Sequence, residues 1–127
     1  MKQKQLALLT SSKWRDYELL DSGNARKFER FGSYNFIRPE SQAIWEPRLS
    51  QKDWHADGVF IPNQDSAGTA EGGWQLSKEL PESWILRYGS LRFMGRPTPF
   101  RHLGFFPEQA VHWEWCASAI RTFIIKC

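Results

Sequence analysis

Two hydrophobic periods alternate along this chain. From Tyr17 to Trp45, YELLDSGNARKFERFGSYNFIRPESQAIW, short alternating runs are broken by turn formers at Ser22-Gly23-Asn24 and Gly32-Ser33, a pattern that predicts three strands in a meander. In the third, Tyr34 and Phe36 point to one face and Asn35 and Ile37 to the other, until Pro39 ends the pairing. The second, Arg26 to Phe31, is read as a strand, although Lys27, Glu29 and Arg30 would also suit a helical turn. Period two returns at Trp84 to Phe93, WILRYGSLRF, where Trp84, Leu86 and Tyr88 alternate with Ile85 and Arg87. Gly89-Ser90 supplies a two-residue turn with Gly at the first central position, as a type II′ hairpin requires.

The period then changes. Past the two prolines of MGRPTPFRH, which extend the backbone, Phe106, Ala110, Trp113, Ala117, Ile120 and Ile124 recur at spacings of four and three, one apolar stripe of a helix. Pro107 suits its first position and Glu108 its positive end. At about 1.5 Å per residue the helix would reach roughly 28 Å. Val111, Trp115 and Phe123 lie off the stripe, so its apolar surface exceeds what one neighbour usually covers, and something else is expected to pack there.

Between these regions Glu46 to Pro81 is rich in loops. A helical turn at Gln51 to Ala56 would carry Trp54, and Val59-Phe60-Ile61 and Trp74-Gln75-Leu76 read as brief strands around Ile61 to Gly73, which is expected to be a mobile surface loop. The fold class that follows is α+β: a small, mostly antiparallel β domain with a long C-terminal helix. The division read from the sequence places a β-rich domain over 1–103 and a connector helix over 104–127.

Composition narrows the function classes. The chain has 127 residues, 41% apolar and 24% charged, as one globular domain does. The outlier is the aromatic share, with seven Trp and nine Phe. Leu6 to Leu9 is too short for an export signal and no small-residue cleavage pattern follows. No apolar run approaches the length of a bilayer span, so no membrane partner is expected. Cys116 and Cys127 make neither a disulfide framework nor a zinc site, which fits a reduced cytoplasm. The net charge of +3 permits a polyanionic partner.

Several residues invite a chemical reading. Arg26, Lys27, Arg30, Arg38, Arg87, Arg92, Arg96 and Arg101 stand among aromatics, as in proteins that hold phosphates with cations and stack unpaired bases on rings. The bland alternative makes the tryptophans core, the stronger reading for any one of them. His55, His102 and His112 are too dispersed for a metal site, so no metal is expected. Asp16, Glu18 and Asp21 read as solvated strand edges rather than an acid-base pair. Glu108 and Gln109 read first as residues of the helix start.

The stretches DYELLDSGN, KFERFGSYNFIRPESQAIW, WILRYG and FRHLGFFPEQAVHWEW, spanning roughly Trp14 to Arg121, resemble the N-terminal region of bacterial class I S-adenosylmethionine-dependent methyltransferases related to the rRNA large-subunit cytosine-C5 enzymes. The most specific match is Phe100-x-His102-x-Gly104-x-Phe106-Pro107-Glu108-Gln109, similar to the family's Gly-x-Phe-x-(Asp/Glu)-Gln segment just before the catalytic Rossmann-type domain. Two positions depart from the family: Asn24-Ala25 stands for an Asn-Gly hairpin, and Ser41 for a Pro in RPEPQAIW. These departures suggest a divergent or decaying copy.

The resemblance implies S-adenosylmethionine as the parent family's cofactor and RNA as a substrate, with Phe106, Glu108 and Gln109 at a pocket edge in a complete enzyme. The cofactor loop, a sequence like Asn-Leu-Phe-x-Tyr-Thr-Gly, has no counterpart in CASAIRTFIIKC. No catalytic residue and no cofactor binding are therefore expected in these residues alone, and the helix looks like a connector where a methyltransferase core would begin. Its expected partner is that missing catalytic domain, or a second copy through self-association. A stand-alone nucleic-acid-binding module and an inactive truncated remnant are the competing readings.

Overall fold

The computed structural model describes residues 5–11, 13–63 and 72–126. Residues 64–71, most of the segment read as a mobile loop, lie outside them, as does Cys127. Two compact units result: Trp14–Phe105, and a unit that joins the segment up to Lys13 with Phe106 onward. The architecture is α+β, mostly antiparallel strands with one long helix, as the sequence predicts.

In the Trp14–Phe105 unit the predicted meander forms as β1 (Tyr17–Gly23), β2 (Arg26–Phe31) and β3 (Tyr34–Pro39). β2 is a strand despite its charges, because Phe28 and Phe31 face opposite sides of the sheet and both are buried. The β1–β2 turn places Asn24 (φ 50°) and Ala25 (φ 58°) in the left-handed region, the pair of angles a type I′ turn needs. The next step is not a hairpin. β4 (Gly58–Pro62) pairs parallel to β3, and β5 (Gly72–Leu76) closes the five-stranded sheet antiparallel to β4. The crossover over 40–57 contains only the short 3-10 turn Gln51–Asp53 before Trp54. It is anchored where Asp57 accepts the Asn35 N–H and donates its own to the Asn35 carbonyl.

A separate ribbon, β6 (Trp84–Tyr88) and β7 (Leu91–Gly95), forms the hairpin predicted from WILRYGSLRF. Gly89 takes φ 56° in the two-residue turn, as the type II′ reading requires.

The sheet buries both faces. On one, Phe31, Phe36, Leu86, Leu103 and Phe105 form a core against which Trp14, Trp74, Trp84 and Phe93 pack. On the other, Phe28 and Ile37 meet Trp54, whose ring stacks on Phe28 at 5.4 Å. Each fully buried side chain of this size contributes about 1.5–3 kcal/mol, so the aromatic excess is spent on the interior of a small unit. Trp14 lies 5.8 Å from Phe105, ring to ring, so the first and last residues of this unit meet.

In the other unit Pro107–Gln109 is a 3-10 turn running into α1 (Ala110–Lys126). Ala110 is buried and Trp113 half-buried, while Trp115, Ile120, Phe123, Ile124 and Ile125 are 58–84% exposed. The distal half of the predicted stripe therefore faces solvent. No helix among the described residues is long and apolar enough to cross a membrane.

Candidate nucleic-acid interface

The eight cations singled out by the sequence separate into two groups once the fold places them. Arg38, on β3, is buried. Its Nε and one terminal nitrogen donate to the two oxygens of Glu29 at 2.7 Å each, and the other terminal nitrogen donates to the Arg101 carbonyl at 3.1 Å. Glu29 is itself 1% exposed and accepts a further bond from the Tyr17 hydroxyl at 2.9 Å. Arg38 also lies 5.3 Å from the Phe31 ring. Lys27 stands 3.8 Å from Glu29 and 3.7 Å from Glu40. Arg30 donates to the Gly32 and Arg15 carbonyls and to Glu18, and Arg26 covers the Trp54 ring at 5.6 Å. These four hold the sheet together.

Arg87, Arg92, Arg96 and Arg101 are exposed. Arg87 and Arg92 are directly opposed across the ribbon, next to the opposed pair Ile85 and Met94. Ile85 and Met94 are 53% and 59% exposed, because the alternation that sends Trp84, Leu86 and Tyr88 to the core sends these four outward. Among the described residues the side chains of Arg87, Arg92 and Arg96 form no ion pair, although the Asp16 carboxylate accepts the Arg87 backbone N–H at 2.7 Å. Like charges directly opposite on a ribbon repel, and an anion bridging them removes that cost. The ribbon's outer face thus combines apolar surface with unneutralised guanidinium groups.

Asp21, expected to be a solvated edge residue, is buried instead. Its carboxylate accepts from the N–H groups of Ser22 (2.9 Å), Arg48 (3.2 Å) and Leu49 (2.8 Å) and from the Trp54 indole (3.0 Å). Burial alone pushes this carboxyl up, but the bonds from Leu49, Trp54, Arg48 and Ser22 together outweigh it and hold it below the ordinary aspartate value. A bulge in β1 between Leu19 and Asp21 breaks the alternation that would have kept Asp21 on the face of Tyr17 and Leu19, and sets it opposite Phe28 on the Trp54 side.

Of the residues read as a pocket edge, Phe106 is 47% exposed and precedes the 3-10 turn, its carbonyl accepting the Gln109 N–H at 3.1 Å. Glu108 and Gln109 are exposed on that turn. In the same unit Leu9 and Thr10 lie beside Val111, Glu114 and Trp115 around an open groove of about 250 Å³. Among the described residues no three acidic, His or Cys side chains gather as a metal site would require.

No family model matches this chain, and no curated protein does. A solved structure does: the S-adenosylmethionine-dependent methyltransferase from Agrobacterium tumefaciens is 44% identical, with a TM-score of 0.78, over 92% of this chain. The chain spans 36% of the length of that methyltransferase.

Proposed function

We propose that this chain is the substrate-side front region of an S-adenosylmethionine-dependent methyltransferase that acts on RNA, with the chemistry performed by a domain outside these residues. The 44% identity to a methyltransferase over 92% of the chain carries this reading. The described residues do not fit the cofactor: the one parallel strand pair, β3 and β4, is joined without an α-helix, so there is no strand-loop-helix unit of the kind that presents such a nucleotide. No chemical step is assigned to these residues, whose part is to bind and orient the substrate.

The RNA part of the reading rests on the ribbon. Arg87 and Arg92 supply two cations beside Ile85 and Met94, suited to a phosphate backbone and the sugar or base next to it. The second reading, a stand-alone nucleic-acid-binding module, is favoured by the Trp14–Phe105 unit having its own buried core.

One pair of titrations tests both parts. Each phosphate contact to a single strand steepens the dependence of log affinity on log salt by about 0.7. Arg87→Ala with Arg92→Ala should therefore flatten the salt slope for a single-stranded RNA oligonucleotide by about 1.4. An unchanged slope removes the ribbon from the interface. S-adenosylmethionine should give no heat of binding to the same chain, and micromolar binding would place the cofactor site within it.

A further inference from the structure

The loop Ala43–Leu49, which follows β3, carries exposed apolar surface on a fastened support. The Trp45 carbonyl accepts the Asn24 N–H at 2.8 Å, the Ala43 carbonyl accepts the Ala25 N–H at 2.8 Å, and Arg48 and Leu49 donate their N–H groups to Asp21. Gly23 allows the approach: a Cβ there, at φ 147°, would stand 2.5 Å from the Pro47 nitrogen. The Trp45 indole N–H donates to the Ser22 carbonyl at 3.0 Å and hydroxyl at 3.1 Å, which fixes the plane of the ring. Outward, Ile44 is 87% exposed and Trp45 54%. Leu19, on β1, is 51% exposed and shares with Trp45, Glu46 and Arg48 the lining of an open groove of about 310 Å³. Among the described residues neither Glu46 nor Arg48 has an ion-pair partner. A fixed indole thus stands beside one unpaired charge of each sign, with little ordering left to do on association.

These charges decide what fits the groove. A polyanion would meet the Glu46 carboxylate as well as Arg48, and like charges brought together oppose association. An uncharged apolar segment would strip water from two unpaired charges and return nothing for it. A peptide strand added to β1, which is an edge of the sheet, would find its ladder interrupted by the bulge between Leu19 and Asp21. A second copy of the same surface supplies what is missing. In a two-fold contact a residue at one position faces a different position of the other copy, and the reverse pair forms at once. An acid and a base two residues apart, beside an exposed apolar centre, are complementary to themselves under that symmetry.

We propose that the Trp45 loop is a self-complementary contact through which two copies of this chain meet about a two-fold axis, Glu46 of each pairing with Arg48 of the other and Leu19, Ile44 and Trp45 covered between them. Both ion pairs then form from charges that have no partner within one copy, and a Trp and an Arg, the residue types that most often dominate such contacts, lie at the centre. A patch confined to one loop and one strand makes a small interface, so the association is of the weak, transient kind. The contact goes beyond the methyltransferase reading and does not depend on it. It is also separate from the exposed face of α1, which belongs to the other unit.

The test is sedimentation equilibrium of the full chain carrying Phe123→Glu, which keeps the apolar face of α1 out of the measurement. A monomer–dimer equilibrium is expected. Adding Glu46→Arg or Arg48→Glu replaces two attractive pairs by two repulsive ones and should weaken the dimer by about tenfold or more. Mixing these two variants should restore it, because a copy with arginine at both positions then meets a copy with glutamate at both. The variant with both changes should dimerise by itself. Restoration on mixing also shows that each variant is folded. A chain that stays monomeric at about 0.5 mM, near the limit of specific association, overturns the proposal. So does a dimer that survives both single reversals, or one that mixing fails to restore, since the copies would then meet through another surface.

Discussion

Glu29→Ala exposes the cost of the one fully enclosed charge pair described in this unit. Removing the carboxylate leaves the Arg38 guanidinium, whose side chain is 6% exposed, with only the Arg101 carbonyl and the Phe31 face. Two charges about 4 Å apart interact by about 4 kcal/mol at the effective dielectric of a protein, and breaking such a buried pair from one side costs about 3–5 kcal/mol. The Tyr17 hydroxyl loses its acceptor as well, for about 1 kcal/mol more. Against a total stability of roughly 6–19 kcal/mol for a chain this long, the loss is large. Divided by an unfolding entropy of roughly 0.2–0.27 kcal/mol/K, it lowers Tm by about 15–30 °C. Calorimetry and urea titration of the single variant, set beside Glu29→Met with Arg38→Met, measure it. The double variant removes both charges and should recover most of the loss. A single-variant cost below about 1 kcal/mol, or a double variant no better than the single, would refute the claim that these groups are sealed from water.

Asp21 makes stability pH-dependent. Its folded-state carboxyl is held below the ordinary value near 3.8, so its contribution is complete above that value and is lost as pH falls through the folded pKa. Urea midpoints from pH 5 to pH 2 should drop more for the native chain than for Asp21→Asn, and parallel curves would count against the assignment. Ala25→Gly should stabilise by up to about 1 kcal/mol, since Ala25 sits at φ 58°, and a lower melting temperature would show that the turn is not strained. The exposed apolar residues of α1 should drive self-association at tens of micromolar, weakened by Phe123→Glu. A clean monomer by sedimentation velocity would speak against it.

The sequence revealed these elements unevenly, for physical reasons. The ribbon was legible because Trp84, Leu86 and Tyr88 alternate strictly and Gly89 marks the turn, and α1 because its stripe keeps one period from Ala110 to Ile124. The parallel pairing of β3 with β4 was not, since its crossover has no period and its register rests on long-range contacts such as that of Asp57 with Asn35. Arg38 could not be told from Arg87 by type. A charged residue enters a core only with a partner, and Glu29 becomes that partner only when β2 and β3 lie side by side. The burial of Asp21 was hidden for a related reason, because the bulge that carries it to the Trp54 side leaves no mark in the pattern.

The meeting of Trp14 with Phe105 bears on how such a chain can be built and rebuilt. A unit whose first and last residues touch occupies only one point along the path of its host, so it can enter or leave a chain without stretching what lies on either side. Here the host is the unit assembled from the residues up to Lys13 and those from Phe106 onward. It is discontinuous in sequence, whereas the aromatic unit is continuous. The topology is that of an insertion, so the aromatic unit can be exchanged as a cassette without rethreading the segments on either side of it.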